Sequence, residues 1–290
     1  MIKKMIKKRI LITLSMASFL TLAGCGNTDA ASDDNSSAAQ TESEITKENI
    51  TVGTSPGPYS ELFMDGIVPI LEDQGYTVTE TVFTEVRQVD VALQEGAIDV
   101  NVDQHLAYMN NFNKEANAEL VAITPIPTVP TGIHSATKNS IDEVADGDII
   151  AIPDDASNTA RALLVLQKAG WIKLDENIEP MASTKNDIIE NPYNLEIVEM
   201  SSAQIPRSLS DVSYGVIPGS ILYAAGLSSN DSLLNEDILP QLVLHAIVNS
   251  GNEETDWAEA IVEAYQSDEF KAHLNEVNTD NYWFIPDELK

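Results

Sequence analysis

The sequence is poor in cysteine and in basic side chains. Its 290 residues include one cysteine, so no disulfide can form within the chain, and 16 Lys+Arg stand against 46 Asp+Glu. The resulting net charge of −30 repels nucleic acid and anionic lipid headgroups, which excludes both as binding partners. Hydrophobic residues still make up 43% of the chain, enough for one large or two medium domains with a buried core.

Signatures of metal and nucleotide chemistry are also missing. The sequence has no phosphate-binding loop and no H-E-x-x-H zinc motif. A closed zinc site needs about four ligands. The four histidines lie in different predicted elements and are His105, His134, His245 and His273. We therefore expect neither an enzyme nor a bound cofactor or metal, and a zinc-binding receptor is left as an alternative.

The first 24 residues have the character of a secretory signal. A basic stretch, "MIKKMIKKRI", precedes an apolar stretch that is too short for a stable membrane span. Leu22-Ala23-Gly24-Cys25 resembles the lipobox of bacterial lipoproteins, so Cys25 is expected to carry lipid after cleavage. An ordinary secretory signal with an incidental cysteine is the alternative. The prediction is an extracytoplasmic protein anchored to a bacterial membrane.

Residues 25–49 are rich in Ser, Ala, Asp and Asn and predict a disordered tether. The chain without residues 1–24 keeps 11 basic and 46 acidic residues, a net charge of −35. The folded body then begins near Ile50.

That body contains an internal duplication. "ITVGTSPGPYSELFMDGIVPILEDQGY" and "IIAIPDDASNTARALLVLQKAGW" share the order strand, turn, helix and glycine, and a further strand, helix and strand follow each. Short apolar strands that alternate with helices predict parallel sheets covered on both faces. The tail adds a strand, "LVLHAIVNSG", and an amphipathic helix whose stripe of Trp257, Ile261, Val262 and Tyr265 is interpreted as core.

The fold class is therefore α/β with two lobes around a ligand cleft. We expect lobe 1 to comprise residues 50–131 and 245–290, lobe 2 to comprise residues 132–244, and two chain crossings near Thr131 and His245 to form the hinge. Ligands of such sheets bind beyond the carboxyl ends of the strands. The predicted cleft segments are residues 54–61, 103–108, 154–161 and 218–220.

Arg161 is the main candidate for binding an anion. It belongs to a predicted helix that has Ser157 or Asn158 as its N-cap and ends at Gly170. Arg161 lies in or near the first turn of this helix, where free N–H groups also attract negative charge. A guanidinium there can hold a carboxylate through two hydrogen bonds. The alternative is a structural ion pair with Asp154 or Asp155. If Arg161 serves the ligand, its loss should cost the unliganded protein little stability.

Several spaced motifs carry a family resemblance. They are the lipobox, "IPDDASNTARALLVLQKAGWIKL", "ALQEGAIDVNVDQHLAYMNNFN", "ENPYNLEIVEM" and "AQIPRSL". Together they resemble the NlpA lipoprotein family, the methionine-binding lipoproteins of ABC importers. The resemblance implies a periplasmic-binding-protein fold that closes on an amino acid and then docks on a permease driven by a separate ATPase. One alternative is a receptor for a different amino acid or a short peptide. An adhesin is a less favoured alternative.

The resemblance also implies site residues. Asn158 and Arg161 match the family residues that hold the charged end of the ligand, and Gln104, His105 and Tyr108 match the residues that line the opposite wall. Aromatic and imidazole rings suit a thioether.

The sequence departs from the family at several of these positions. Asp103 stands where a Phe precedes the Gln-His pair, and Tyr59 stands where a His follows the first-lobe proline. Val89-Asp90 replaces a Pro-Asn, and Pro218-Gly219 replaces a ligand-binding Asn. Asp103 is expected to bind the ligand ammonium in place of the lost Asn, or to favour a cationic or larger ligand.

Overall fold

The computed structural model describes residues 49–279 and 282–290. The predicted signal peptide, the predicted lipidation site Cys25 and residues 25–48 of the predicted tether lie outside the described residues, and Asn49, the last residue of that tether, begins the first strand. The strands are β1 (Asn49–Thr54), β2 (Thr77–Val82), β3 (Val100–His105), β4 (Leu120–Pro125), β5 (Gly132–His134), β6 (Ile149–Pro153), β7 (Lys173–Leu174), β8 (Ile188–Glu190), β9 (Glu196–Met200), β10 (Tyr214–Ile217), β11 (Leu234–Asn235) and β12 (Leu244–Asn249).

The helices follow the strands in the alternation that the sequence predicts. They are α1 (Pro58–Leu62), α2 (Val68–Asp73), α3 (Val86–Gln94), α4 (Leu106–Ala116), α5 (Ala156–Lys168), α6 (Ile205–Ser208), α7 (Gly219–Ala224), α8 (Asp256–Gln266) and α9 (Asp268–Val277). A π-helical turn, Phe63–Ile67, joins α1 to α2. Short 3-10 helices are Ile141–Glu143, Pro180–Ala182, Lys185–Asp187, Ser202–Gln204, Ser229–Asp231, Pro240–Leu242 and Asp287–Leu289.

Within the described residues the strands form two five-stranded sheets and one small hairpin. The first sheet has the order β2-β1-β3-β12-β4 and the second β11-β5-β10-β6-β9. The runs β2-β1-β3 and β9-β6-β10 are parallel and occupy equivalent places, which is the arrangement that the duplicated segments predict.

The expectation of wholly parallel sheets is wrong. β12 runs antiparallel to β3 and β4, and β5 runs antiparallel to β10 and β11. These strands lie where the chain passes from one sheet to the other, near the predicted crossings, and a strand that returns from the other sheet is free to pair in either direction.

Helix α5 begins earlier than the sequence predicts. Its N-cap is Asp155, whose carboxylate accepts a hydrogen bond from the Asn158 N–H at 3.0 Å, rather than Ser157 or Asn158. An ionised cap is favoured at the positive end of a helix. Arg161 is consequently the sixth residue of the helix, beyond the first turn, so the end of the helix does not attract an anion towards it. Gly170 follows the helix with φ of +74°, as expected for its terminator.

The tail forms two helices where the sequence predicts one. Ser267 separates α8 from α9, because its side chain accepts a hydrogen bond from the Phe270 N–H at 3.1 Å and caps the second helix. Trp257, Ile261 and Tyr265 are buried in the core of the first sheet, as predicted, while Val262 is partly exposed. The tail therefore covers the sheet and contributes core rather than site.

Candidate functional site

The carboxyl end of β3 faces the start of α5, and the two meet through side chains. His105, the last residue of β3, lies with its Nε2 3.3 Å from Oδ1 of Asn158. The amide of Asn158 in turn donates to both carboxylate oxygens of Asp155, at 3.1 Å each. Predicted site residues from the two sheets are thus joined in one hydrogen-bonded chain.

His105 is held as a neutral imidazole. Its Nδ1 accepts a hydrogen bond from the Tyr108 N–H at 3.1 Å, so Nε2 carries the proton and donates to Asn158. Burial, together with the positive charge of Arg161, lowers the pKa of His105 to about 3. The Tyr108 ring stands edge-on to the imidazole, with the centroids 6.3 Å apart. Both rings present uncharged faces to this part of the cleft.

Arg161 forms a buried ion pair with Glu236. Arg161 Nε donates to Glu236 Oε2 at 2.8 Å and Nη2 donates to Oε1, and each side chain is 4% exposed. The alternative of an ion pair with Asp154 or Asp155 is therefore wrong. Burial by itself would lower the pKa of Arg161, but the Glu236 carboxylate outweighs it and raises that pKa. Because loss of Arg161 would leave Glu236 buried and unpaired, the structure leads us to expect that its loss destabilises the unliganded protein.

The guanidinium keeps one free edge. Among the described residues Arg161 donates only to Glu236, through Nε and Nη2, so the ion pair does not engage Nη1. Glu236 Oε1 also accepts a hydrogen bond from the Thr131 N–H at 2.7 Å, at the predicted crossing between the lobes. Glu236 therefore fixes the orientation of Arg161 against the backbone of the crossing.

Asp103 is held by serines rather than by a cation. Ser55 N–H, Ser55 Oγ and Ser60 Oγ donate to its carboxylate at 2.7, 2.8 and 2.9 Å. Burial raises the pKa of Asp103 to about 6, although the serine hydrogen bonds oppose the shift. Ser60 Oγ lies 2.9 Å from both carboxylate oxygens and the Ser60 backbone also hydrogen-bonds to the carboxylate, so the two serines engage about all four of its acceptor positions.

The Ser55 segment also has the spacing of a serine-hydrolase motif. Residues 53–57 spell G-x-S-x-G between β1 and α1, the setting of a nucleophile elbow. Positive φ among the described non-glycine residues is confined to Asn117 and Asn194, so Ser55 lacks the strained backbone of an elbow. Its hydroxyl donates to Asp103 and is not activated by a histidine. The motif here positions a carboxylate.

Gln104 turns toward a second buried acid. Its Nε2 donates to Asp90 Oδ1, which also accepts from Asn101 Nδ2 at 2.8 Å. Burial raises the pKa of Asp90 to about 7, against the two amide hydrogen bonds. In the part of the chain that the structure describes, Asp90 Oδ2 and Gln104 Oε1 have no hydrogen-bond partner.

Tyr59, a predicted site residue, is buried in the hydrophobic core of the first sheet. Its hydroxyl accepts a hydrogen bond from the Val129 N–H at 3.0 Å, and its ring packs on Trp283 with the centroids 5.6 Å apart. The backbone of the crossing engages the hydroxyl, and burial raises the pKa of Tyr59 although the nearby charge of Arg161 opposes the shift.

Gly219, the first residue of α7 after β10, has no room for a side chain. A Cβ on Gly219 would lie 2.3 Å from Val129 Cγ1 and 2.8 Å from the Pro130 carbonyl oxygen, both closer than real Cβ contacts. Val129 therefore fills the space near the position where the resemblance implies an asparagine.

A cavity of about 480 Å³ adjoins the site between α4 and the start of α5. Its walls include the rings of Tyr108 and Phe112 and the carboxylates of Glu115, Asp154 and Asp155. One basic residue, Arg87, lines it and is paired with Glu115 at 2.9 Å. The cavity is thus aromatic and acidic.

The geometry can be compared with known proteins. Residues 50–284 match the family model described as NlpA lipoprotein. The chain belongs to the NlpA lipoprotein family. It is 32% identical over 261 residues to the D-methionine-binding lipoprotein MetQ of Salmonella typhi, covering 89% of this chain and 90% of that one.

Solved structures give the same result. A lipoprotein from Ruminococcus gnavus is 36% identical, with a TM-score of 0.77 over 82% of this chain and 98% of that one. A nutrient-binding protein from Burkholderia cenocepacia, bound to methionine, is 32% identical, with a TM-score of 0.74 over 80% and 96%. The bilobal α/β fold is confirmed. Like its family, the chain is a substrate-binding protein and not an enzyme.

The structure adds two facts about the described residues. Within residues 49–279 and 282–290, no helix is both long and apolar enough to cross a bilayer. In the same ranges no group of three or more His, Cys, Asp or Glu side chains is placed to hold a metal ion.

A first testable consequence concerns Asp90. A buried acid with a raised pKa binds more protons when folded than when unfolded, so its contribution to stability is lost as pH rises through that pKa. The free energy of unfolding of Asp90→Asn minus that of wild type should therefore be about 2 kcal/mol larger at pH 7.5 than at pH 5.5. Urea unfolding of both proteins at the two pH values measures this difference. The histidines contribute equally to both proteins, so their effect cancels in this comparison. If the stability difference between variant and wild type did not change with pH, the prediction would be wrong.

Proposed function

We propose that this protein is the lipid-anchored, extracytoplasmic substrate-binding component of an ABC importer, and that it binds an α-amino acid, methionine or a relative, in the cleft between its lobes. Lobe 1 comprises residues 50–131 and 245–290, and lobe 2 comprises residues 132–244. The family and the methionine-binding names of its relatives support the substrate class. The observation that carries the proposal is the meeting of His105 and Asn158 beside the free edge of Arg161.

The proposed binding mode places each ligand group against an available atom. The ligand carboxylate lies on Arg161 Nη1, where the guanidinium is already oriented by Glu236. Asn158 and His105 close over the same end, and Tyr108 contributes a ring face. The α-ammonium approaches the Asp103 carboxylate, which is held by serines and has no ion-pair partner among the described residues. A charge-assisted hydrogen bond at each end would fix the orientation of the ligand.

Titration calorimetry tests the proposal directly. The protein is unfolded and refolded to remove any ligand that co-purifies, and it is then titrated with L-methionine, D-methionine and L-norleucine. Native mass spectrometry of the protein before unfolding identifies what it carries. We expect an α-amino acid bound at one site per chain. Binding of sugars or metal ions in place of any amino acid would overturn the proposal.

Asp103→Asn is expected to weaken amino-acid binding by about 1–3 kcal/mol, the scale of a lost charge-assisted hydrogen bond. Asparagine keeps an acceptor for Ser55 and Ser60 but removes the negative charge that attracts the ammonium. Calorimetric titration measures the change. Asp73→Asn, an exposed acid at the end of α2, removes the same charge elsewhere and serves as the control. Equal affinities for the two variants would place Asp103 outside the ligand contacts.

The anchor is tested by Cys25→Ser. No other cysteine exists, and the tether is predicted to contribute nothing to the core, so the variant should leave the membrane fraction completely and keep wild-type ligand affinity. Cell fractionation and calorimetry measure both. Retention of the variant in the membrane fraction would contradict lipidation at this residue.

A further inference from the structure

Helix α1 is bonded to three different parts of the molecule. Its Tyr59 hydroxyl accepts a hydrogen bond from the backbone of the crossing at 3.0 Å. The next residue, Ser60, donates from Oγ to the Asp103 carboxylate at 2.9 Å. The residue after that, Glu61, accepts a hydrogen bond from the Tyr223 hydroxyl of α7. Three successive side chains therefore connect α1 to the crossing, to the candidate site and to the proposed lobe 2.

The contact between α1 and α7 has an equivalent elsewhere in the cleft. Helices α1 and α5 follow the central strands of the two parallel runs, β1 and β6, and helices α4 and α7 follow their neighbours β3 and β10. The structure places α4 against α5 and α1 against α7, which are equivalent pairs under the duplication. His105 and Asn158 join the lobes at the first pair, and Tyr223 and Glu61 join them at the second.

The two hydrogen bonds differ in what surrounds them. His105 and Asn158 belong to the proposed ligand contacts. Tyr223 is 39% exposed, Glu61 is exposed as well, and a cavity of about 410 Å³ lies beside them between α1, α7 and α9. The bond to Glu61 and burial raise the pKa of Tyr223, so its hydroxyl remains a donor at neutral pH. A hydroxyl that donates to a carboxylate forms a stronger bond than one between neutral groups, and this one joins the lobes outside the proposed ligand contacts.

We infer that the hydrogen bond between Tyr223 and Glu61 is a latch that holds the lobes closed over the ligand, and that α1 connects this latch to the ligand through Ser60 and Asp103. The inference rests on the proposed function, in which the ligand ammonium approaches Asp103. A bond present only in the closed arrangement increases the population of that arrangement, so every ligand held there gains affinity by the same factor. Tyr223 and Glu61 are positioning residues that determine how tightly the ligand is held but not which ligand binds.

A double-mutant cycle tests the latch. Its members are the full-length wild type, Tyr223→Phe, Glu61→Ala and the double variant. Phenylalanine keeps the ring that neighbours Tyr282, with the centroids 6.4 Å apart, and removes the donor. The matched control is Tyr193→Phe, which removes the hydroxyl of a half-buried tyrosine between β8 and β9. Calorimetric titration with L-methionine, D-methionine and L-norleucine measures the affinities, and release of radiolabelled L-methionine measures the dissociation rate.

Each single variant should bind all three amino acids about three to ten times more weakly than wild type, by a common factor, because one hydrogen bond of the closed arrangement is lost. Methionine should dissociate faster by about the same factor, since the latch forms only after the ligand has entered. The double variant should be no more than about twofold weaker than either single variant, because each already breaks the same bond. Tyr193→Phe should behave as wild type.

Wild-type affinity and dissociation rate in Tyr223→Phe would overturn the inference and leave the proposed function intact. Additive losses in the double variant would overturn it too, because Tyr223 and Glu61 would then act separately. A changed affinity ratio among the three amino acids would mean that the pair contacts the ligand and is not a latch. Failure of all three to bind wild type would overturn the proposed function and the inference with it.

Discussion

Replacing Glu236 with alanine is expected to lower the free energy of unfolding by about 3–5 kcal/mol, the cost of leaving one member of a buried ion pair without its partner. Arg161 would keep its charge at a site that is 4% exposed, with no other acceptor among the described residues. The Thr131 N–H would lose its acceptor as well. Urea unfolding measures the loss as a lower midpoint with an unchanged slope.

Asp237→Ala is the matched control, because Asp237 is the next residue and also pairs with a cation, Lys168. Asp237 is 84% exposed, so its loss should cost less than about 1 kcal/mol. Equal destabilisation by the two substitutions would mean that this loop, rather than the ion pair, determines the effect. A loss below 1 kcal/mol in both variants would mean that Arg161 finds another partner when Glu236 is absent.

The sequence was sufficient to predict most of the architecture. Apolar strands at regular spacing and the duplicated order of elements predicted two sheets with equivalent strand orders, and the structure has them. The direction of individual strands was harder to predict from the sequence. Whether β5 and β12 run parallel or antiparallel depends on how the chain crosses between the sheets, and a local pattern of apolar residues does not record that path.

The candidate site was predictable where its residues are local to strand ends. His105, Tyr108 and Asn158 lie in segments expected at the cleft, and His105 and Asn158 meet there. Glu236 was missed because it is 75 residues from Arg161 and lies in a loop where nothing distinguishes it from the other acids of an acid-rich chain. Ser55 and Ser60 lie in a predicted cleft segment but were missed as partners of Asp103, because they are 48 and 43 residues from it in the chain. Long-range pairing of this kind follows from the fold and not from local spacing.

Arg161 has two roles in this structure, one toward Glu236 and one toward the proposed ligand, and substitutions can separate them. Arg161→Ala should weaken amino-acid binding by about 2–5 kcal/mol, because a desolvated carboxylate would face no cation. It should also lower the free energy of unfolding by about 3–5 kcal/mol, since Glu236 would remain buried and unpaired. Arg161→Lys keeps the charge but loses the planar fork, so its binding should fall between wild type and Arg161→Ala.

The double variant Arg161→Met, Glu236→Leu removes both charges and fills the space with apolar side chains of similar size. A buried ion pair replaced in this way is often no less stable, so the double variant should unfold within about 1 kcal/mol of wild type. If Arg161 holds the ligand carboxylate, the stable double variant should still bind amino acids as weakly as Arg161→Ala. Calorimetric titration together with urea unfolding of the four proteins decides between the roles. Wild-type affinity in the double variant would mean that Arg161 is only the partner of Glu236 and that the carboxylate binds elsewhere in the cleft.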